Sequence, residues 1–297
     1  MDIVVIHALN ALLYASVLFL IAGGLSLIYG VMRIVNLAHG NIYAFGAYVS
    51  AWVVGLLVAR AADGPPPSTA LLLLLLPAGA LAAAALGAVL EPTLLRPFYK
   101  RAEEYQLLVT FGLLMIIDDV IRWLWGPYPL SASVIFENFG SLNIGESIYP
   151  TYNFLVIAIG GLAAVFLWAF IYKTRFGVVL RATSQDMRMS SALGVNVNRV
   201  YVQAFTLGCL MAGLGGAIIV PSQSAVLGMG VDALILSFIV VVVGGLGSLE
   251  GALLGAVIVG VVRELGIALF PEIELAVLYL IAAGVLLVRP AGLFGRA

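Results

Sequence analysis

Long apolar segments alternate with short polar ones along most of this chain. A helix of about 20 apolar residues crosses the hydrocarbon layer of a membrane, which is ~30 Å thick. The pattern predicts an all-α integral membrane protein, a polytopic bundle of about eight or nine transmembrane helices in one domain over residues 1–297. The predicted spans lie near 8–30, 42–60, 69–90, 106–125, 153–172, 200–220, 231–246, 250–270 and 273–289.

The composition supports the same class. Hydrophobic residues make up 63% of the chain and charged residues 10%, whereas soluble domains are about 25% charged. The single cysteine, Cys209, excludes an internal disulfide, and with only His7 and His39 beside it we predict no metal site. No basic cluster indicates nucleic-acid binding, and no nucleophile–base set indicates a catalytic residue.

Lysine and arginine are concentrated in alternate loops. Basic residues in short loops mark the cytoplasmic side, which places loops 91–105 and 173–199 inside, together with the tail that carries Arg289 and Arg296. With nine crossings the amino terminus is then outside and the carboxyl terminus cytoplasmic. The loops without basic residues are predicted to face the outside: 61–68, a stiff proline-rich turn, the long periplasmic loop 126–152, and 221–230.

The loop 173–199 contains the spacing of a short helix. It has five basic residues against one acidic residue, Asp186. Thr183 and Asp186 have the separation of a capping box at a helix start. Gly194 is suited to end the same helix, because glycine adopts the left-handed conformation at low cost. We therefore predict a helix over 183–194.

That predicted helix has one apolar face, formed by Met189, Ala192 and Leu193. A helix of about ten residues is not stable alone in water. We therefore expect its apolar face to contact a groove in a protein. The alternative interpretation is a solvated basic loop that only obeys the charge rule for membrane orientation.

A second polar stretch interrupts the apolar pattern at 31–41. It contains Asn36, His39, Gly40 and Asn41. One interpretation is a broken helix inside the membrane, which is tolerated where protein or a wet cavity surrounds it and which builds substrate sites in transporters. The other is an interfacial turn with Asn36 and Asn41 as helix caps. His39 either lines a substrate pathway or bonds backbone groups that the break frees.

A glycine-rich block follows near the carboxyl end. Gly251 and Gly255 have the small-xxx-small spacing that lets membrane helices approach closely. The neighbouring glycines either serve the same packing or form a bend at 244–247. The predicted break and packing residues are Gly244, Gly245, Gly247, Gly251 and Gly255.

Charged residues inside predicted spans are also candidates. Asp118 and Arg122 lie four residues apart and therefore share a helix face as an ion pair. Arg263 and Glu264 are adjacent and point in different directions. We expect each of them to need a partner elsewhere, for instance on another subunit.

Three sequence blocks together resemble the LivH-type permease of branched-chain amino acid ABC importers, over nearly the whole chain. Asn41 is a departure, since many relatives are expected to carry an acidic residue there. The matching segments are 24–30, 35–40 and 46–48; then Arg181-Ala182, Gln185-Asp186 and 193–195; then 244–248, Gly251-Ala252 and Leu254-Gly255.

The resemblance implies a permease subunit in the bacterial inner membrane, half of the pathway for branched-chain amino acids that a periplasmic binding protein delivers. It implies a second, LivM-like permease and two ATPase subunits as partners. ATP and Mg²⁺ would bind those ATPases, and this chain has no phosphate-binding loop of its own. The implied pathway residues are Asn36, His39, Gly40 and Asn41. The implied ATPase-coupling residues are Arg181, Ala182, Thr183, Gln185, Asp186, Met189, Leu193 and Gly194.

Two alternatives remain open. One is an importer of the same family that carries urea, short amides or aromatic acids. The other is an ion- or proton-coupled carrier that works alone. Such a carrier needs buried titratable groups, and the central spans offer few beyond His39 and the Arg263–Glu264 pair.

Overall fold

The computed structural model describes residues 2–61, 67–269, 271–289 and 291–295, and it is a helical bundle with one β-hairpin in that part of the chain. The helices are α1 Asp2–Met32, α2 His39–Arg60, α3 Thr69–Leu75, α4 Pro77–Leu90, α5 Glu103–Trp125, α6 Ser133–Phe139, α7 Thr151–Lys173, α8 Arg175–Gln185, α9 Met187–Ala192, α10 Val197–Ile219, α11 Met229–Gly244, α12 Leu249–Leu269 and α13 Glu274–Val288. The strands are β1 Ser141–Ile144 and β2 Ser147–Pro150.

Every predicted span contains helix, so the prediction of a multi-pass membrane protein is confirmed. Six helical stretches in the described residues are long and apolar enough to cross a membrane. α11 and α13 are apolar but shorter, and α5 has the length but carries Asp118, Asp119 and Arg122. The α-helix of the third span ends at residue 90, as expected, and the chain then continues as a π-helix over Glu91–Leu95 and a 3₁₀-helix over Arg96–Phe98.

The two ends of the bundle differ in structure. Between α5 and α7 the long loop folds into α6 and the β1–β2 hairpin, a strand pair that the all-α prediction did not include. We call this the hairpin end. The start of α1 lies there too, since a Cβ atom on Gly145 would meet the Asp2 carboxylate.

The opposite end carries the turn after Phe98 together with α8, α9 and the described tail 291–295, and we call it the α8 end. The tail is held by backbone bonds, with Leu293 N donating to Val243 O at 3.0 Å and Phe294 N to Gly244 O at 2.9 Å. The two chain ends thus lie at opposite ends of the bundle, as the nine predicted crossings require. Most of the proline-rich turn, residues 62–66, and Arg296 lie outside the described residues.

α1 is the central helix of the bundle. Its residues 15–28 are all buried, and it packs against α7, α10, α11 and α12, while α10 also packs against α2 and α4. Glycine allows these close contacts, since a Cβ atom on Gly24 would meet the Gly208 carbonyl oxygen and one on Gly46 would meet the backbone of Gly213. Small residues at such crossings let helix backbones approach closely in a membrane protein.

The chain between α1 and α2 returns into the bundle before the next helix starts. Arg33, with a φ of 55°, turns the backbone after Met32. His39 then lies 3.0 Å, Nε2 to oxygen, from the carbonyl of Ile21 near the middle of α1. α2 therefore begins in the interior, which confirms a break inside the bundle and shows that the interfacial turn is wrong.

α11 begins in the interior as well. Gly230, in its first turn, lies so close to Gly40 that a Cβ atom on Gly40 would meet the Gly230 carbonyl oxygen. The loop after α10 therefore also enters the bundle instead of staying wholly at the surface. We call residues 36–41 together with Met229 and Gly230 the polar junction.

Candidate functional site

The polar junction buries three polar side chains completely. Asn36, His39 and Asn41 each expose 0% of their surface. Asn36 Oδ1 accepts a hydrogen bond from Ala38 N at 3.1 Å, and Asn41 Nδ2 donates to Leu114 O at 2.6 Å. The expected caps are wrong, because the residue before α2 is Ala38 and no side chain caps that helix.

Each of these three side chains also has a buried atom without a hydrogen-bond partner among the described residues, namely Asn36 Nδ2, His39 Nδ1 and Asn41 Oδ1. A buried polar atom left unpaired costs about 1–3 kcal/mol. His39 bonds the backbone at Ile21, inside the continuous part of α1 and not at groups that the break frees. The predicted pathway residues are thus brought together, with Gly40, in one packed junction.

The predicted helix over 183–194 is wrong, because the structure has two helices there. Thr174 caps α8 by accepting a hydrogen bond from Gly177 N at 3.0 Å, and Asp186 caps α9 by accepting from Met189 N at 2.9 Å. Thr183 lies inside α8, where its hydroxyl donates to Val179 O at 2.9 Å instead of capping. Serine and threonine in helices often make this bond to the preceding turn.

The end of this segment is as predicted. Gly194 follows α9 with a φ of 86°, in the left-handed region that favours glycine. Val195 N then donates to Ser190 O at 3.0 Å, a bond that closes the last turn of α9. The local capping signals therefore placed the end of the helix correctly and its start incorrectly.

The apolar residues of α9 and its end are exposed. Met189 exposes 59% of its surface and Leu193 78%, and Ala192 beside them is exposed too. Ala182, Gln185 and Asp186 are also exposed. The described part of the chain therefore leaves the predicted coupling surface uncovered.

The inner side of the same segment is attached to the bundle. The Tyr201 hydroxyl of α10 donates to Met187 Sδ at 3.2 Å. The Arg181 guanidinium lies over the ring of Tyr172, 4.9 Å from its centroid. Thr183 and Ser190 are buried. A displacement of α9 would consequently act on α10, and one of α8 on the end of α7.

The glycine block combines both predicted roles. Gly245 and Gly247 have φ values of 110° and 77°, so the chain bends between α11 and α12. Cβ atoms on Gly251 and Gly255 would meet the backbone of α11, at the Gly244 and Val240 carbonyl oxygens. Packing and bend therefore coexist.

A cavity of about 990 Å³ opens at the α8 end. Its walls come from all three sequence blocks, namely the last turns of α1, the residues of α8 around Arg181, and the bend 246–250. Sequence reasoning missed Tyr29 and Arg33 as lining residues. It missed them because the cavity forms only where distant segments meet. The polar junction does not line this cavity or a smaller one of about 440 Å³ beside Arg96 and Arg199.

Comparison with known proteins identifies the family. Residues 7–288 match the family described as branched-chain amino acid transport system / permease component. The chain belongs to this permease family. It is 30% identical over 294 residues to the high-affinity branched-chain amino acid transport system permease protein LivH of Escherichia coli (strain K12), covering 97% of this chain and 94% of LivH.

Two further relatives have similar descriptions. The permease protein BraD of Pseudomonas aeruginosa is 26% identical over 293 residues, covering 97% of this chain and 94% of BraD. The permease protein LivM of Escherichia coli is 25% identical over 310 residues, covering 94% of this chain and 68% of LivM. The chain is therefore a transporter permease component and not an enzyme, and a second type of permease in the same systems is related to it.

The charged residues singled out inside the predicted spans have partners within the chain. Glu264 is 5% exposed and binds His7 Nδ1 at 2.8 Å and Asn10 Nδ2 at 3.1 Å. Arg263 lies over the ring of Tyr14, 4.5 Å from its centroid. The expectation that each needs a partner elsewhere is confirmed, and α1 of the same chain, not another subunit, supplies both. The predicted pair of Asp118 and Arg122 is present as a long contact of 3.9 Å.

One buried charge escaped the sequence analysis. Glu91, which is fully buried, binds Arg96 Nη2 at 2.7 Å and accepts from the Tyr99 hydroxyl at 2.6 Å. Burial raises the pKa of Tyr99, and the hydrogen bond to Glu91 raises it further. The π-helical turn Glu91–Leu95, which follows α4 directly, keeps Glu91 inside the fold.

Proposed function

We propose that this permease forms one half of the translocation pathway for branched-chain, hydrophobic amino acids in an ATP-driven importer. Family membership supports the substrate class, because the relatives LivH and BraD are described as branched-chain amino acid permeases. The exposed apolar surface of α9 supports the ATP-driven mechanism. This exposed surface is the single observation that carries the proposal, because apolar side chains exposed in this way need a protein partner to cover them.

The surface around α9 is unsuited to lipid. Gln185, Asp186 and Arg188 are exposed beside Met189 and Leu193, and charged groups in hydrocarbon are expensive. An apolar stripe with charged edges matches a helix that lies in a protein groove. We assign that groove to an ATPase subunit, whose closure would pull on α8 and α9.

The charge pattern supports an orientation with the α8 end in the cytoplasm. Arg96, Lys100, Arg101 and Arg188 belong to that end, and basic loops favour the cytoplasmic side. The hairpin end and the amino terminus are then outside, where a periplasmic binding protein would deliver the substrate. A second permease related to LivM would complete the pathway, and two ATPase subunits would bind ATP and Mg²⁺.

We assign Asn36, His39, Gly40 and Asn41 to the part of the pathway that opens during transport. In the described conformation they are packed and buried. Their unpaired polar atoms favour hydration, since each would gain a partner when water or an amino acid entered. The substrate would pass with low affinity, and the binding protein would determine selectivity.

The test is transport by the complete importer in vesicles, with leucine uptake and ATP hydrolysis measured on the same sample. Asp186→Ala removes the α9 cap, and Gly194→Val places a branched side chain at positive φ. We expect both to lower uptake about tenfold or more per ATP hydrolysed, which corresponds to ~1.4 kcal/mol of lost coupling. The matched control is Glu146→Ala, which alters an exposed residue in the turn of the β1–β2 hairpin.

The result also separates the alternatives. Normal uptake in both variants would contradict the coupling role of α9. Uptake driven by an ion gradient in vesicles that lack ATPase subunits would support an independent carrier and overturn the proposal. Saturable ATP-driven uptake of urea or an aromatic acid, with no leucine uptake, would place the chain in the same family with another cargo.

A further inference from the structure

The cavity at the α8 end carries charged groups of both signs. Arg33 reaches it from the end of α1, Arg181 from α8, and Glu250 from the first turn of α12. In the described part of the chain none of the three forms an ion pair. Arg181 lies over the Tyr172 ring and its Nε donates to Gly177 O at 3.4 Å, but like Arg33 and Glu250 it has no group of opposite charge paired with it among the described residues.

The remaining walls combine aliphatic side chains with polar groups such as those of Ser26, Gln185 and Ser248. Branched aliphatic side chains from α1, α7, α11 and the bend before α12 line the cavity. Its volume of about 990 Å³ exceeds the needs of one small molecule, so it would hold such a ligand loosely. The lining residues that matter here are Leu27, Val31, Ile171, Val242, Leu246 and Leu249.

We propose that this cavity binds a free amino acid with an aliphatic side chain, as a regulatory site on the product side of the permease. The carboxylate of such a molecule matches the guanidinium groups of Arg33 and Arg181, which bind carboxylates through paired donors. Its ammonium group matches Glu250, and its hydrocarbon matches the aliphatic wall. This inference rests on the proposed function, which makes the same class of molecule the transported product.

Binding there has a consequence for transport. Arg181 belongs to α8, whose movement would drive transport, whereas Arg33 and Glu250 belong to α1 and α12. An amino acid that contacts all three groups would join these elements and stabilise the conformation that contains the cavity. Accumulated product would therefore slow further uptake, and its weak binding would confine the effect to high internal concentrations.

The experiment uses the complete importer in vesicles that contain ATP and increasing concentrations of unlabelled leucine. The initial rate of labelled leucine uptake is expected to fall as internal leucine rises. Glu250→Gln and Arg33→Gln should raise the half-inhibiting concentration about fivefold or more, with uptake unchanged when no internal leucine is present. Glu137→Gln and Arg60→Gln, exposed positions distant in sequence from the cavity, are matched controls that should leave inhibition unaltered.

Two leucine analogues test the separate charges. Isocaproate lacks the ammonium group and isoamylamine lacks the carboxylate, so each should inhibit from inside far less than leucine. If isocaproate inhibited uptake as strongly as leucine, the role of Glu250 would be overturned. If isoamylamine inhibited uptake as strongly as leucine, the role of the two arginines would be overturned. Inhibition that persists unchanged in both cavity variants would overturn the site.

A binding measurement distinguishes this inference from the proposed function. Contact between leucine and the purified chain is followed by saturation-transfer NMR, which requires no transport. Signal in the native chain that is lost in Glu250→Gln supports the site, and absence of signal in the native chain overturns it. ATP-driven leucine uptake without internal inhibition would overturn only the site, whereas absence of ATP-driven uptake would overturn only the proposed function.

Discussion

The polar junction buries polar side chains, whereas the α8–α9 segment exposes apolar ones. At the junction Asn36, His39 and Asn41 are completely buried. On α9 and its end, Met189 and Leu193 are largely exposed. Within a single folded chain each arrangement costs free energy, in unpaired polar atoms in one case and in exposed apolar surface in the other. We therefore expect both regions to gain contacts in the working transporter, with water or substrate at the junction and with a protein partner on α9.

The two regions also differ in what holds them together. The junction depends on backbone contacts between helices far apart in the sequence, such as Gly40 against Gly230. The α8–α9 segment depends on local caps from Thr174 and Asp186 and on the left-handed turn at Gly194. Substitutions should therefore affect stability at the junction and transport at α9.

The largest effect is expected for Gly40→Ala. Its Cβ atom would meet the Gly230 carbonyl oxygen and the side chain of Leu234, and overpacking of this kind costs about 3 kcal/mol. We expect a clear drop in the thermal unfolding midpoint of the purified protein in detergent. The control is Gly112→Ala in α5, where nothing lies near the new methyl group. If Gly40→Ala and Gly112→Ala lowered the unfolding midpoint equally, the backbone at Gly40 would not be packed more tightly than the surface of α5.

An intermediate effect is expected for Met189→Ser combined with Leu193→Ser. Both side chains are exposed, so the free energy of unfolding should change by no more than ~0.5 kcal/mol and the unfolding midpoint should shift little. Uptake by the complete importer should fall about tenfold, because the proposed apolar contact with an ATPase subunit would be lost. Leu142→Ser, on the exposed hairpin strand, is the matched control. Destabilisation without loss of coupling would mean that the surface of α9 serves the fold of this chain.

The smallest effect is expected for Asn41→Ala. The change removes the hydrogen bond to Leu114 O, but it also removes the unpartnered Oδ1 atom. These effects oppose each other, and the net loss of stability should stay below about 1 kcal/mol. Thermal unfolding beside the exposed control Asn143→Ala measures it. A loss as large as that of Gly40→Ala would show that the side-chain bond, and not glycine packing, holds the junction.

Several features could be predicted because they depend only on neighbouring residues. The length of each apolar segment gave the membrane helices, since a helix satisfies its own backbone in lipid. The left-handed turn at Gly194 and the pair of Asp118 and Arg122 are also local. The resemblance of three sequence blocks gave the family, which the match over residues 7–288 confirms.

The start of α9 shows where local reasoning fails. Thr183 and Asp186 are both good capping residues, and the sequence does not say which one ends the preceding helix. In the structure Thr183 lies on the buried side of α8, where its hydroxyl bonds to the preceding turn. Asp186 is exposed and free to cap α9. Packing of α8 against the bundle thus decided between two locally equivalent choices.

By itself, the sequence determined that this chain is a membrane-spanning helical protein, since apolar length and charge distribution act segment by segment, and the resemblance of three sequence blocks indicated a permease. Only the tertiary structure decided that α2 and α11 begin in the interior, that Glu264 pairs with His7, and that Arg33 and Glu250 share one cavity. Those outcomes depend on contacts between residues far apart in the chain. No spacing rule specifies such contacts, because they arise only when the helices pack together.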